Sequence, residues 1–195
     1  MNAFINTYTS DICYALSNLV ATNRSDEASN PDCALELWVD ATKSVKDKRG
    51  TVIFIGNGAS ASMAEHMSHD CFQNADLLTM TCSETAHITA IANDISYEDV
   101  FSYRIGKAAT SKDMLVAISS SGNSPNVVKA IKAARDIGLF IVTVTGKSAD
   151  NKARALGDLN FYVPLDTYGM VESAHAVLLH CWLDMFLDKY MGGRH

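Results

Sequence analysis

Apolar residues recur at helical spacing over the first fifty positions, and the rhythm then changes. Phe4, Ile5, Tyr8, Ile12, Ala15, Leu16 and Leu19 fall on one side of a helix over residues 3–21. Residues 22–30 are polar and read as a loop. Pro31 then opens a second helix to about residue 48, with Ala34, Leu35, Leu37, Trp38 and Val45 as its apolar side. Beyond Gly50, short β-branched runs alternate with helical patterns. Strands are expected over 52–55, 77–80, 114–118, 140–144 and 160–163. Helices are expected over 60–73, 84–92, 97–109, 125–137, 150–156 and 171–190. Such alternation specifies an α/β fold with a parallel sheet and right-handed crossovers. The two leading helices (1–50) would cap this core (51–195) or build an oligomer interface. The last helix is apolar round most of its circumference, so it must be buried, in the core or against a partner subunit.

Length changes this picture little: 195 residues suit one domain with a sizeable core. Hydrophobic residues make up 48% and charged residues 19%, the balance of a soluble globular chain. The formal charge of −6 leaves no field to attract nucleic acid or an anionic membrane, so neither is expected as a partner. No apolar run approaches a membrane span, and the N-terminus lacks a secretory core. Cys13, Cys33, Cys71, Cys82 and Cys181 are odd in number and lack C-x-x-C spacing. They read as buried or partly buried thiols of a reducing cytoplasm.

Two strand-to-helix turns carry the first chemistry. In DMLVAISSSGNSPNVVK (113–129) an apolar strand runs into a serine-glycine turn, and a helix opens at Pro125. A helix N-terminus offers unpaired N–H groups and partial positive charge, so it can seat a phosphate. Ser119, Ser120, Ser121 and Ser124 add hydroxyl donors. The turn has no Walker lysine and no G-x-G-x-x-G spacing, which argues against a nucleotide cofactor and for a small phosphorylated molecule. TVIFIGNGASAS (51–62) repeats the device, with Gly56 and Gly58 free to take positive φ or approach a ligand closely. Either segment alone also fits an ordinary β-α turn. Ligands of open parallel sheets bind at the carboxyl edge where both turns fall.

His66 and Asp70 share a face of the following helix at i and i+4, and Glu65 and His69 form a second such pair. Imidazole with carboxylate serves as a ligand pair for zinc and similar ions, as an acid/base pair, or as a solvated ion pair. Glu172, His175 and His180 lie among apolar neighbours in the last helix. Each therefore needs a polar pocket, another subunit or solvent. Glu172 and His180 are eight positions apart, about 12 Å along an ideal helix, within reach of one ion only near full extension. Asn93 and Asp94 either bond a polyol or end a helix.

Taken together, IGNGASASMAEHMSHD, ITAIANDISYEDVF, LVAISSSGNSPNVVKAIKAARDIGLFIVTVTGK and VESAHAVLLH resemble the sugar isomerase (SIS) domain family, on the phosphoheptose isomerase branch. The resemblance runs from the N-terminal helices to Tyr190. It implies a flavodoxin-like three-layer sandwich with a five-stranded parallel sheet and a homo-oligomer, a tetramer or dimer, with active sites between neighbours. The implied reaction is conversion of sedoheptulose 7-phosphate to D-glycero-D-manno-heptose 7-phosphate, in the service of surface polysaccharide. Asn57, Gly58, Ala59 and Ser60 would line the sugar phosphate, and Ser119, Ser120, Ser121 and Ser124 would hold the phosphate. Asn93 and Asp94 would lie near the sugar hydroxyls. His66, Asp70, Glu172 and His180 would hold a divalent metal, expected to be zinc, with Asp70 and His180 catalytic and Glu172 also near substrate.

The resemblance is broken at two of those positions. Asp70 stands where the family has Glu, and Glu172 where it has Gln. Gly169 replaces an acidic residue, and the segment between Asp70 and Asn93 is shorter than the family's. These changes point to altered substrate or geometry. They also admit a non-catalytic module that binds a sugar phosphate as a signal or scaffold, or a lyase or epimerase using the same pocket.

Overall fold

The computed structural model describes residues 3–193. Its sheet is built on five parallel strands, β3 (Thr51–Ile55), β4 (Leu78–Thr81), β5 (Met114–Ser119), β6 (Phe140–Gly146) and β7 (Leu159–Val163), in the order β4-β3-β5-β6-β7. All five strands expected from the alternation are present. The order is that of a flavodoxin-like sheet, which reverses direction between β3 and β5.

The sheet also has two antiparallel strands that the polar composition of residues 22–30 concealed. β1 (Val20–Asn23) pairs with β7 in the register Val20↔Tyr162 to Asn23↔Leu159, and β2 (Ala28–Ser29) pairs with β1. Polar residues suit an edge hairpin, and local bonds close it. Asn23 Oδ1 accepts from the N–H groups of Ser25 and Glu27, while Asn160 Nδ2 donates to the carbonyls of Thr22 and Asn23. The first helix, α1 (Phe4–Ser17), therefore stops short of the expected residue 21.

Side chains of each central strand alternate between two cores. Val52, Phe54, Val116 and Val142 face α2 (Pro31–Asp47), α3 (Ala59–Ala75) and α7 (Tyr168–Tyr190). Ile53, Ile55, Leu115 and Ile141 face α4 (Thr85–Asp94), α5 (Ser102–Ala108) and α6 (Pro125–Ile137). Helix ends follow their local chemistry. Asn30 caps α2 by accepting from the N–H of Asp32 at 2.8 Å, with Pro31 in the first turn. Gly138 ends α6 in the left-handed region at φ 91°.

Two expected helices come out shorter. The 97–109 segment breaks into a 3-10 turn at Tyr97–Asp99 and α5, because Asp99 accepts the hydroxyls of Ser96 and Ser102. Only Ala153–Ala155 of the 150–156 segment is helical, a 3-10 turn, because Asn151 bonds the Ser148 carbonyl and the Arg154 N–H. The expectation of buried or partly buried thiols holds for Cys71 and Cys82. Cys13, Cys33 and Cys181 are exposed on outward helix faces, and no disulfide forms among the described residues.

Helix α7 is buried along Val171, Ala174, His175, Leu178, Leu179, Trp182, Leu183, Phe186 and Leu187. Trp182 stacks on Trp38 with ring centroids 4.5 Å apart. Val177, His180 and Cys181 on the remaining side of the helix face outward. Helix α1 touches α7 near its C-terminal end, where Ala15 is its one buried residue, and leaves Phe4 81% and Tyr14 72% exposed.

Candidate active site

The glycine turn leaves β3 and the serine turn leaves β5, so both stand where the strand order reverses. That is the position at which open α/β sheets take their ligands. Together the turns line a pocket of about 300 Å³ with Asn57, Gly58, Ala59, Ser60, Ser119, Ser120, Ser121 and Ser124, and α7 closes it with Tyr168 and Glu172. The two strands bring these residues together across some sixty positions of sequence. Gly58 opens α3 at φ 57°, a backbone conformation costly for any other residue.

Neither α3 nor α6 takes a side-chain bond from its N-cap residue; the Ser60 and Ala61 N–H groups turn back to the Asn57 and Gly58 carbonyls, and that of Val127 bonds Asn126 Oδ1. Ser120 Oγ is buried without any hydrogen-bond partner. An unpaired buried hydroxyl costs about 1–3 kcal/mol unless a ligand or water completes it. Asn57 is fixed by Asn126, with which it exchanges two amide bonds of 2.9 Å, and it accepts from the Tyr97 hydroxyl at 3.3 Å. Tyr97, Asn126 and Tyr168 escape a reading by motif. Each is one tyrosine or asparagine among many, and only the fold places Tyr168 in the pocket and Tyr97 and Asn126 against Asn57.

A second cluster lies further along α7. His66 Nε2 is 3.2 Å from Asp70 Oδ2 and 3.2 Å from His180 Nε2, and His180 Nε2 is 3.9 Å from the same carboxylate oxygen. The donor atoms of the three residues fall within 4.8 Å of one another. His180 Nδ1 bonds the Ala176 carbonyl at 2.7 Å. That bond makes Nδ1 the protonated nitrogen and turns the lone pair of Nε2 toward the other two residues. The side chains are 54%, 21% and 46% exposed for His66, Asp70 and His180, open enough for a ligand to enter. Glu172 is not part of this group. It faces the pocket between the serine and glycine turns.

Asn93 and Asp94 sit exposed at the end of α4, where Asn93 Nδ2 bonds Asp94 Oδ1 at 2.8 Å, and neither lines the pocket. Glu65 accepts the Ser83 hydroxyl at 2.6 Å. The second histidine of the last helix, His175, is fully buried in the core below the pocket. Burial pushes its imidazole down to about 4.

Comparison with known proteins identifies the family. The SIS-domain family model matches residues 13–146. A phosphoheptose isomerase of Chromohalobacter salexigens is 35% identical over 152 residues, covering 73% of this chain and 77% of the relative. One from Coxiella burnetii is 31% identical over 186 residues, covering 87% and 93%. The solved structure of phosphoheptose isomerase from Neisseria gonorrhoeae superposes with a TM-score of 0.73 at 28% identity, covering 78% of this chain and 85% of that one. The chain belongs to the SIS-domain family, the relatives compared above are phosphoheptose isomerases, and the chain is an isomerase.

Proposed function

We propose that this isomerase, acting as a single SIS domain, interconverts an aldose and a ketose phosphate. The favoured substrate is sedoheptulose 7-phosphate, giving D-glycero-D-manno-heptose 7-phosphate, or a close analogue. The reading is carried by one observation. An imidazole–carboxylate–imidazole group stands on the same helix pair, α3 and α7, that walls a pocket rich in hydroxyl and N–H donors.

Aldose–ketose isomerisation moves a proton between adjacent carbons, so it needs a base near the carbon acid and a group that exchanges protons with oxygen. Asp70 is the candidate base. Its Oδ2 faces the imidazoles, which leaves Oδ1 for substrate. His180 is the candidate acid, held in one tautomer by Ala176. The serine turn anchors the phosphate and thereby orients the reacting carbons. Glu172, lining the same pocket, would accept from sugar hydroxyls, and Asn93 and Asp94 would reach the sugar only if the end of α4 closes over it.

His66, Asp70 and His180 fit a divalent cation such as zinc, since two imidazoles and a carboxylate converge with their donor atoms facing inward. Glu172 would join them only by swinging out of the pocket. When bound, the ion would polarise the carbonyl as a Lewis acid.

We further propose a homo-oligomer. The exposed apolar residues of α1, and Val177 beside a groove of about 660 Å³ along α2 and α7, are the surface a second copy would cover. His180 opens onto that groove, so a neighbouring copy would close the catalytic group off from water. No helix of the described residues is long and apolar enough to cross a membrane, and the cytoplasm is the proposed compartment.

A panel of seven-, six- and five-carbon ketose phosphates tests the reaction, with zinc supplied and metal content measured. Turnover of the seven-carbon substrate is expected. Binding of the panel with no turnover of any member would make the chain a sugar-phosphate sensor instead.

A further inference from the structure

The other edge of the sheet also carries a cavity. It encloses about 640 Å³ where β5, β6 and β7 begin, at the end of the strands opposite the serine and glycine turns. Arg24, Lys48, Lys112 and Arg135 line it, against the carboxylates of Asp113 and Asp158. Both carboxylates are already engaged. Asp113 accepts from the N–H groups of Thr51 at 2.7 Å and Thr110 at 2.6 Å. Asp158 accepts from Arg135 Nη1 at 2.7 Å and the N–H of Ile141 at 2.9 Å.

The other three cations are free. Among the described residues, the side chains of Arg24, Lys48 and Lys112 have no hydrogen-bond, ion-pair or ring partner. They come from three separate segments: the β1–β2 turn, the residue after α2, and the approach to β5. The chain holds 22 acidic against 16 basic side chains, so an acid is the commoner neighbour for any lysine or arginine. Three unpaired cations gathered round one cavity run against that balance. They repel one another, and an anion between them would reverse the sign of the interaction. The volume lies within the range of small-molecule sites, roughly 300–1,000 Å³. Phe140 and the buried Leu139 supply an apolar wall.

We propose that this cavity binds a small organic molecule bearing two or more phosphate groups, at a site distinct from the isomerase pocket. The number of phosphates follows from the donors. The isomerase pocket meets a phosphate ester with neutral hydroxyl and N–H groups and no lysine or arginine. With Arg135 paired to Asp158, the three free cations stand against the one remaining carboxylate, Asp113, and the net positive charge matches a multiply charged anion. Arg24 can take one phosphate by a two-point bond, while the flexible lysines follow the next.

Titration calorimetry on the full chain tests this, using ADP and inorganic pyrophosphate as probes. The Ser121→Ala/Ser124→Ala variant serves as background, to weaken any competing seat at the serine turn. Saturable binding of one ADP per chain is expected, weaker several-fold when salt rises from about 0.05 to about 0.2 M. Adding Arg24→Ala, Lys48→Ala and Lys112→Ala should weaken it by about tenfold or more, whereas the distant Lys107→Ala/Lys152→Ala pair should leave it unchanged. Should the triple variant misfold, Lys112→Glu alone gives the same reading. The proposal is overturned by the absence of saturable binding with either probe, by affinity indifferent to the three cations, or by an equal loss in the distant control. None of these outcomes depends on isomerase turnover.

Discussion

Asn57 and Asn126 hold each other by both ends of their amides, Nδ2 of each donating to Oδ1 of the other at 2.9 Å. One stands in the glycine turn after β3 and the other in the first turn of α6, so the pair ties together the two walls of the isomerase pocket. Asn126 is 2% exposed, and its Oδ1 also takes the N–H of Val127 at 2.9 Å.

The first prediction follows from that lock. Asn126→Ala strands the Asn57 amide and the Val127 N–H together, so unfolding in urea should show a loss of about 1–3 kcal/mol. The proposed catalytic cluster lies elsewhere on α3 and α7, so KM for the phosphosugar should rise more than kcat falls. A variant that loses kcat alone would mean that the lock does not position the phosphate seat.

The second prediction concerns His66, Asp70 and His180. At the proposed zinc site, His66→Ala removes one of three converging donors, and elemental analysis of the purified variant should show zinc falling from the proposed ~1 per chain to a trace. Asp70→Asn keeps size and removes the proposed base, so kcat should drop by roughly 10²–10⁴-fold while the phosphate seat still binds. Retained zinc in His66→Ala, or retained kcat in Asp70→Asn, would count against the roles assigned to them. Both side chains are part-exposed, so stability should change little.

The five parallel strands were legible because each is a short β-branched run between helical patterns, and both turns were legible because serine and glycine cluster at strand ends. The i, i+4 spacing of His66 and Asp70 holds on any helix, so that pair survives into the structure unchanged. What joined His180 to it was the resemblance, because nothing local links residues 66 and 180. Its meeting with His66 depends on α3 packing against α7. Glu172 shows the opposite limit. Eight positions from His180 let one ion bridge them only at full stretch, and the helix instead turns Glu172 into the pocket. The β1–β2 hairpin was hidden by its polarity. Its pairing energy comes from β7 and from Asn160, some 140 positions later, which a local pattern cannot register.

Gly122 gives the third prediction. It sits at φ 63°, and a Cβ there would fall 1.9 Å from Asn151 Oδ1. Its N–H closes the serine turn by bonding the Ser119 carbonyl at 3.0 Å, and its carbonyl accepts from Ala153. Gly122→Ala should therefore both strain the backbone and push Asn151 away, loosening the phosphate seat from its support. Thermal unfolding should fall by several degrees, and phosphosugar binding should weaken more than zinc binding. Equal loss of both would indicate general unfolding instead of a local effect on the turn.

The fourth prediction is a pH dependence set by His175. It is fully buried, neither ring nitrogen has a hydrogen-bond partner, and burial holds its imidazole at about 4 against an ordinary 6.5. The main chain of Thr145 pulls the other way, but its approach falls short of a hydrogen bond. Above pH 6.5 the ring is neutral in both folded and unfolded chains, and the fold keeps its full stability. As pH falls from 6.5 toward 4 the unfolded chain takes up a proton that the folded chain refuses, so stability drops. The two pKa values make that drop about 3 kcal/mol. His175→Asn removes the titrating group, and its unfolding free energy should lose that part of the acid slope while other carboxylates contribute equally to both proteins. Parallel curves for the two proteins would mean that water or a neighbouring group pairs the imidazole in solution, and that its burial costs the fold far less than the packing implies.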